Sequence, residues 1–259
     1  MSAPRYIFVA GLHRSGTSLV HRCLATHPAV ASFAHTGVPE DEGQHLQDVL
    51  PTARSLGGPG VFARHPLAAA QPVTDARARM IRTRLLASWE PLWRADAAVR
   101  LTKSPTDLLR GPLLQQLFPG STLVVLRRHP LAVAFATRAM APSRRALQPI
   151  DLIEHWLIAH ERLDALRPQL DRLVELRLDD LTADPERKLA ELFACVGLVP
   201  PRGLPTIHRD PDARHRANWL VWRHTHRRAG LEADLERLAP RVLAQGYDLT
   251  TFARGNRGR

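Results

Sequence analysis

The sequence predicts a single α/β domain in which helices flank a central parallel sheet of about four or five strands. Short apolar runs, typical of strands buried on both faces, alternate with longer segments whose apolar residues recur every three or four positions. A chain of 259 residues has room for one such domain with additional helices and loops. We therefore assign 1–259 to one domain and expect the tail, 250–259, to be disordered.

The first strand, glycine loop and helix form the segment that the rest of the chain is expected to surround. The apolar run 6–10 predicts a buried strand, and 11–16 form a glycine-bounded loop. Residues 17–27 carry apolar side chains at helical spacing. Such a strand–loop–helix unit directs backbone N–H groups and a helix N-terminus toward one point, which favours an anion there.

The loop comes close to the phosphate-binding pattern G-x-x-x-x-G-K-[ST], which Gly11, Gly16 and Ser18 fit. Thr17 stands where that pattern has lysine, and Arg14 is the cation inside the loop. The site suits a phosphate-like group better than a metal-bound triphosphate. The alternative is a chance glycine turn, which the hydroxyl residues around the second glycine make less favourable.

An acidic cluster follows the first helix. Residues 29–38 are predicted to be a loop, and the cluster at 40–42 leads toward a short helix near 44–50. One interpretation is a solvated acidic turn. The other gives Glu42, His45 or His35 the task of a general base.

The next segment supplies a lysine at a strand end. Residues 51–72, rich in Gly, Pro and Ala, predict a long surface loop that covers a pocket, and 74–95 predict a helix. The brief strand 97–101 is followed by Thr102-Lys103-Ser104-Pro105. A lysine at the carboxyl end of a parallel strand points into the crevice where ligands bind, although an exposed lysine of no special role is the alternative.

A second strand end carries two arginines. After a helix at 107–118, the apolar run 122–126 predicts a central strand that ends in Arg127-Arg128-His129-Pro130. Pro130 suits the first turn of a helix that continues to about Met140. We expect the arginines to form a second anion site rather than a solvated basic turn.

The remaining elements follow the same alternation. Trp156 and Leu157 are expected in the core rather than against a cofactor. The predicted elements are a helix at 151–170, a strand at 173–178, a helix from 184 to about 196 and a last helix at 231–245.

Composition narrows the class of protein. The formal charge of +11 predicts an anionic partner, and the segment 202–228 is markedly basic. Its histidines lack the cysteines or regular spacing of a metal site, and we expect no bound metal. Cys23 and Cys195 lie in apolar helical patterns, which predicts buried free thiols. The sequence shows neither a signal-peptide pattern nor a membrane span, and we expect a cytoplasmic protein.

Four blocks, in this order, resemble the P-loop sulfotransferase family, and the closing Leu243-Ala-Gln-Gly-Tyr-Asp248 is similar to its tyrosylprotein and related bacterial branch. The blocks are Gly11-Leu-His-Arg-Ser-Gly-Thr-Ser18, Thr102-Lys-Ser-Pro105, Leu126-Arg-Arg-His-Pro130 and Leu176-Arg-Leu-Asp-Asp-Leu181 with Asp184-Pro185-Glu186. The resemblance implies sulfuryl transfer from 3′-phosphoadenosine 5′-phosphosulfate to a hydroxyl acceptor.

The resemblance also implies roles for individual residues. Lys103 would stabilise the leaving oxygen, and His35 or Glu42 would be the general base. Arg128 would hold the 3′-phosphate, with Thr137 in place of a family serine. The loop residues implied to bind the phosphosulfate are Arg14, which is also a catalytic candidate, Ser15, Gly16, Thr17 and Ser18.

Two rival functions stay open at the level of the sequence. One is a magnesium-dependent ATP phosphotransferase with a degenerate loop and Asp179 or Asp180 as its acid, which the missing lysine disfavours. The other is a nucleic-acid-binding module, which the sequence disfavours because it shows neither aromatic–basic interleaving nor a recognition motif. A sugar, a natural-product phenol and a tyrosine all remain possible acceptors, and the sequence makes no prediction of oligomeric state.

Overall fold

The computed structural model describes residues 3–140, 142–226 and 229–252. Its centre is a five-stranded sheet in the order β2-β3-β1-β4-β5, and every neighbouring pair is parallel. The strands are β1 (Arg5–Ala10), β2 (Val30–Ser32), β3 (Val99–Lys103), β4 (Thr122–Arg127) and β5 (Leu173–Arg177). The predicted fold class is confirmed, whereas most of the predicted disordered tail lies outside the described residues.

Helices connect the strands and cover both faces of the sheet. They are α1 (Thr17–Ala25), α2 (Asp75–Trp89), α3 (Gly111–Leu117), α4 (Pro130–Arg138), α5 (Pro142–Arg145), α6 (Pro149–Leu166), α7 (Leu178–Ala183), α8 (Pro185–Cys195), α9 (Ala213–Thr225) and α10 (Ala229–Ala244). None of the helices in the described part of the chain combines the length and apolar character needed to cross a membrane.

Side-chain alternation along the strands divides the core into two clusters. In β1, Ile7 and Val9 join the cluster under α1 and α8, while Tyr6 and Phe8 join the larger cluster on the opposite face. Both faces of the central strands are therefore buried, which explains their near-continuous apolar sequence.

The strand order brings three chain segments to one edge of the sheet. β1 lies between β3 and β4, with Val9 paired to Lys103 and Ala10 to Val125. The chain turns to one side of β1 for β2 and β3 and to the other for β4 and β5, which makes this edge the topological switch point. The glycine loop, the end of β3 and the end of β4 meet there.

Two local predictions are wrong. The predicted loop 29–38 contains β2, a short strand that pairs with β3. Of the predicted helix near 44–50, only a 3-10 turn at Gly43–His45 forms, and 46–50 are not helical. There, the Gln47 side chain donates to the carbonyls of Gln44 and Leu50 and accepts from the N–H groups of Val49 and Leu50. These bonds use backbone groups that a helix would need.

Residues 51–72 form a loop of short 3-10 turns, but its inner side is part of the core. Phe62 and Ala63 are fully buried in the larger cluster, so the segment is packed rather than merely lying on the surface. Elsewhere, both cysteines are free as predicted, and Cys23 is buried. The prediction for Cys195 is wrong, because it lies on the exposed side of α8.

The packing of this loop can be tested with one substitution. Phe62→Ala should lower the free energy of unfolding by about 3–5 kcal/mol, since Phe62 is 0% exposed and its removal leaves a cavity. Leu67→Ala, in the same loop but 62% exposed, should change it by less than about 0.5 kcal/mol. Urea titration of both variants measures the difference, and equal values would show that the loop is not packed as described.

Candidate functional site

The glycine loop between β1 and α1 is closed tightly enough to exclude side chains. Gly11 has a φ of 151°, and a Cβ there would lie 2.6 Å from the Leu126 carbonyl oxygen. Gly16 has a φ of 101°, and its Cβ would lie 3.0 Å from Leu178. Gly16 caps α1 without a side-chain hydrogen bond, so the first N–H groups of the helix face the loop unbonded by a cap. This cradle suits an anion.

The polar side chains of the loop face different directions. Arg14 is exposed, and its guanidinium makes no ion pair or hydrogen bond within the described residues. Ser15 is buried and donates to the Leu12 carbonyl oxygen at 2.6 Å, so its hydroxyl closes the loop instead of projecting outward. Thr17 and Ser18 line the small cleft in front of the loop.

Lys103 lies beside this cleft, at the end of β3. Its side chain is only 1% exposed, and its ammonium donates to Ser18 Oγ at 3.1 Å. Glu42 Oε1 lies 3.4 Å and Glu40 Oε2 3.7 Å from the same nitrogen. Ser18 in turn donates to Glu40 Oε2 at 2.9 Å. The structure thus joins the predicted lysine, the loop serine and one predicted base in one cluster.

The two glutamates of the cluster differ in environment. Burial raises the pKa of Glu42, although Lys103 opposes this effect. The hydrogen bond from Ser18 lowers the pKa of Glu40, whose side chain is 61% exposed. Sequence reasoning did not single out Glu40. Glu40 has a φ of 56°, in the left-handed region, and Asp41 in the same turn also has a positive φ. No residue type in 39–41 signals this conformation.

His35, the alternative base, lies outside the cluster. It is exposed on the same turn, and its backbone N–H donates to the Asp41 carboxylate at 3.3 Å. In the described part of the chain it makes no hydrogen bond or ion pair with Lys103 or Ser18. His45 lies nearer, with Nε2 3.7 Å from the Glu42 carboxylate.

The two arginines at the end of β4 do not share one anion site, which corrects the sequence prediction. Arg127 points to the opposite face, where it pairs with Asp164 at 2.9 Å and Glu175 at 3.0 Å. Arg128 remains on the loop side and pairs with Asp212 through Nε and Nη2. The split follows from strand alternation, because consecutive residues face opposite sides.

Arg128 also holds the glycine loop in place. Its Nη1 donates to the Arg14 carbonyl oxygen at 2.7 Å, and Nη2 reaches the Pro211 carbonyl oxygen at 3.3 Å. Together with the two bonds to Asp212, these contacts engage four of the five guanidinium N–H groups: that of Nε, both of Nη2 and one of Nη1. One N–H therefore remains for a ligand. Arg14 and Arg128 line the same cleft.

Thr137 does not join Arg128 in the cleft. It is buried on α4 and lines a small separate void with Gly60, Leu152 and His155. Its predicted position beside a 3′-phosphate therefore does not match the observed orientation.

Three clefts meet at this edge of the sheet. The loop cleft, about 220 Å³, lies between the glycine loop and Arg128. The α1 cleft, about 500 Å³, lies between α1 and residues 32–34. The 53–59 cleft, about 370 Å³, lies against the packed loop. Glu40 lines all three clefts. Within the described residues, no group of three or more His, Cys, Asp or Glu side chains is arranged to hold a metal ion.

Comparison with known proteins gives a family match. The model of a family described as "Sulfotransferase family" matches residues 4–200. No curated protein matches the sequence significantly.

Solved structures with a similar fold include three bacterial proteins. A sulfotransferase from Mycobacterium tuberculosis is 18% identical, with 93% of this chain and 77% of that chain covered and a TM-score of 0.52. The sulfotransferase domain of the curacin biosynthetic pathway is 17% identical, with coverages of 93% and 98% and a TM-score of 0.54. That of the Synechococcus PCC 7002 olefin synthase is 19% identical, with coverages of 95% and 96% and a TM-score of 0.53. At these identities the similarity establishes the fold.

The contacts of Glu40 predict competition between this carboxylate and any anion that enters the loop cleft. Glu40→Gln should bind inorganic sulfate about threefold more tightly, because the sulfate no longer has to displace the Glu40 carboxylate from Lys103. The gain is small, since an ion pair with so exposed a carboxylate contributes less than about 1 kcal/mol. Calorimetry with sulfate measures the effect, and Glu186→Gln, an exposed glutamate on α8, is the matched control. Equal affinities in wild type and Glu40→Gln would contradict the competition.

Proposed function

The chain belongs to the sulfotransferase family, and we propose that it transfers a sulfuryl group from 3′-phosphoadenosine 5′-phosphosulfate to a hydroxyl acceptor. The observation that carries the proposal is the buried Lys103 ammonium beside Ser18 at the uncapped start of α1. A glycine loop without its own lysine thus receives a cation from the neighbouring strand.

The loop cleft has the chemistry to hold the phosphosulfate end of this donor. The N-terminal N–H groups of α1, the free Arg14 guanidinium and the Ser18 hydroxyl converge on it. The close approach of backbone at Gly11 and Gly16 leaves room for anion oxygens where a Cβ would not fit. At the other end, the remaining N–H of Arg128 is available to the 3′-phosphate, while its other bonds keep the loop in register.

Lys103 is the residue that we assign to the leaving group. When bound, the donor supplies a sulfuryl group joined to phosphate through one bridging oxygen. The Lys103 ammonium, buried beside the loop, stabilises negative charge as it develops on that oxygen. A sulfuryl group carries less charge than a phosphoryl group, so one lysine and the loop N–H groups supply the stabilisation that this transfer needs.

Glu42 is the general base that the geometry favours. Its carboxylate lies 3.4 Å from Lys103 and lines the loop cleft, whereas His35 makes no contact with this cluster in the described chain. Burial raises the pKa of Glu42, which makes it a stronger base than an exposed glutamate. Gln44 and His45 fix the other carboxylate oxygen.

Nucleotide binding separates this proposal from ATP chemistry. Calorimetry should show micromolar affinity for 3′-phosphoadenosine 5′-phosphate that does not depend on Mg²⁺, because the loop cleft uses its own cations. ATP should bind more weakly, since it lacks the 3′-phosphate that Arg128 is proposed to contact. Preference for ATP with Mg²⁺ would reject the proposal in favour of phosphoryl transfer.

The identity of the base can be tested by the pH dependence of turnover. Activity should fall as the pH decreases through the raised pKa of Glu42, because the protonated carboxyl cannot accept a proton. Glu42→Gln should lower kcat by about 10²–10⁴-fold and remove the acidic limb of the pH–rate profile, which is this fall of activity at low pH. His35→Ala is the matched control and should retain both the rate and the limb. Loss of the limb in His35→Ala would instead identify His35 as the base.

A further inference from the structure

The α1 cleft opens directly beside the Lys103 cluster. Ser18, Glu40 and Lys103 form its inner end, and Ser18 and Glu40 also line the loop cleft. A molecule in the α1 cleft therefore reaches the position where the phosphosulfate group is proposed to lie. At about 500 Å³ the cleft has the size of a small-molecule site.

The walls of the α1 cleft offer mainly carbon. Ala25 of α1, Phe33 and Ala34 after β2, and Pro205 form much of its lining. Of the nearby acids, Asp41 already accepts from the Thr36 N–H and hydroxyl and from the His35 N–H. Thr26 is also engaged, because it donates to the Cys23 carbonyl oxygen. Arg22 and Ser32 are the further polar side chains of the lining, fewer than a ligand that carries many hydroxyls would need.

One buried polar atom in the cleft lacks a partner. His21 is only 8% exposed, and its Nε2 makes no hydrogen bond within the described structure. Buried imidazole nitrogens without partners are uncommon, and each calls for a ligand or another explanation. Burial, together with the nearby Lys103 charge, lowers the pKa of His21 to about 4, so the ring is neutral at pH 7. The Nε2 atom of a neutral imidazole can donate or accept one hydrogen bond, depending on the tautomer, and so can bond to a bound molecule.

The 53–59 cleft does not show such an unmet group among its amides and carboxylates. Gln44 accepts from the Ala53 N–H and donates to Glu42, and Glu42 also contacts Lys103. These groups already have protein partners. Lys103 lines the α1 cleft and does not line the 53–59 cleft, which favours the α1 cleft as the place for a second ligand.

We propose that the α1 cleft binds the sulfuryl acceptor, and that this acceptor is a compact, carbon-rich hydroxyl compound of the phenol class that makes a hydrogen bond to His21. The inference rests on the proposed sulfuryl transfer. The acceptor oxygen bonds to sulfur as the bond between sulfur and the bridging oxygen breaks. The hydroxyl proton passes to Glu42, which is outside the lining of the α1 cleft but lies 3.4 Å from the Lys103 ammonium at its inner end. 3′-Phosphoadenosine 5′-phosphate leaves with the electron pair of the broken bond.

The experiment uses the full chain saturated with 3′-phosphoadenosine 5′-phosphate, which fills the donor site without turnover. Calorimetric titration with 2-naphthol should show binding, while glucose and a short tyrosine peptide should bind at least about tenfold more weakly. Stronger binding of glucose or the peptide would overturn the acceptor class. If the nucleotide itself does not bind, sulfuryl transfer fails. If the nucleotide binds and 2-naphthol does not, only the acceptor class fails.

Tryptophan substitutions test the location. Ala34→Trp fills the α1 cleft from an exposed position and should weaken 2-naphthol binding at least about tenfold with nucleotide affinity unchanged. Arg54→Trp, which fills the 53–59 cleft, and Ala87→Trp, on the exposed face of α2, should leave 2-naphthol binding unchanged. Weakening by Arg54→Trp without weakening by Ala34→Trp would move the acceptor to the 53–59 cleft and overturn the proposal.

His21→Leu tests the hydrogen bond. Removing a buried polar atom that has no partner should raise the melting temperature of the free protein, yet weaken 2-naphthol binding about fivefold. A merely structural histidine would not separate the two readouts in this way. Unchanged 2-naphthol affinity in a folded His21→Leu protein would remove His21 from the site, and should that variant not fold, Ala34→Trp still decides the location.

Discussion

The burial of the Lys103 ammonium is the constraint on which the site depends. An unpaired ammonium that is 1% exposed would be prohibitively costly, so the chain must place acceptors around it. Glu42, Glu40 and the Ser18 hydroxyl meet this requirement from the turn after β2 and from the start of α1. The acidic cluster beside an anion-binding loop, which looks unfavourable in the sequence, is thus the counter-charge that lets a lysine sit at the end of β3. The same pairing fixes the position of the loop that carries the proposed base.

Two of the three cations of the proposed donor site, Lys103 and Arg128, are paired with acids of the chain, but the two pairs differ in strength. Glu40 is 61% exposed and contacts Lys103 at 3.7 Å, an arrangement that contributes little and exchanges easily with an incoming anion. Asp212 is 7% exposed on the side chain and binds Arg128 through two nitrogens, and breaking such a buried pair costs about 3–5 kcal/mol. The phosphosulfate end can therefore exchange partners, while the Arg128 end acts as a fixed support for the glycine loop.

The sequence predicted the placement of site residues wherever the alternation of a strand determines the direction of a side chain. Buried parallel strands, and the fact that their carboxyl ends share one edge, were enough to bring Gly16, Lys103 and Arg128 together. The same alternation predicts that Arg127, one residue before Arg128, faces the other side of the sheet, where it pairs with Asp164. The choice between the candidate bases was not accessible in this way. It depends on the positive φ angles of His35, Glu40 and Asp41, none of which is a glycine. The hydrogen bonds of the turn, rather than the residue types, set this conformation.

The order of the strands also separates the proposed support of the nucleotide from the proposed acceptor cleft. β1 lies between β3 and β4, so the glycine loop at its end has Arg128 on one side and Lys103 with the α1 cleft on the other. In the proposed function Arg128 supports the nucleotide from the β4 side and Lys103 faces the leaving oxygen from the end of β3, while α1 and residues 32–34 form the acceptor walls. Substitutions in 32–34 and after the first turn of α1 can then alter which hydroxyl compound binds without changing the residues that the Arg128 guanidinium contacts, which are Arg14, Pro211 and Asp212.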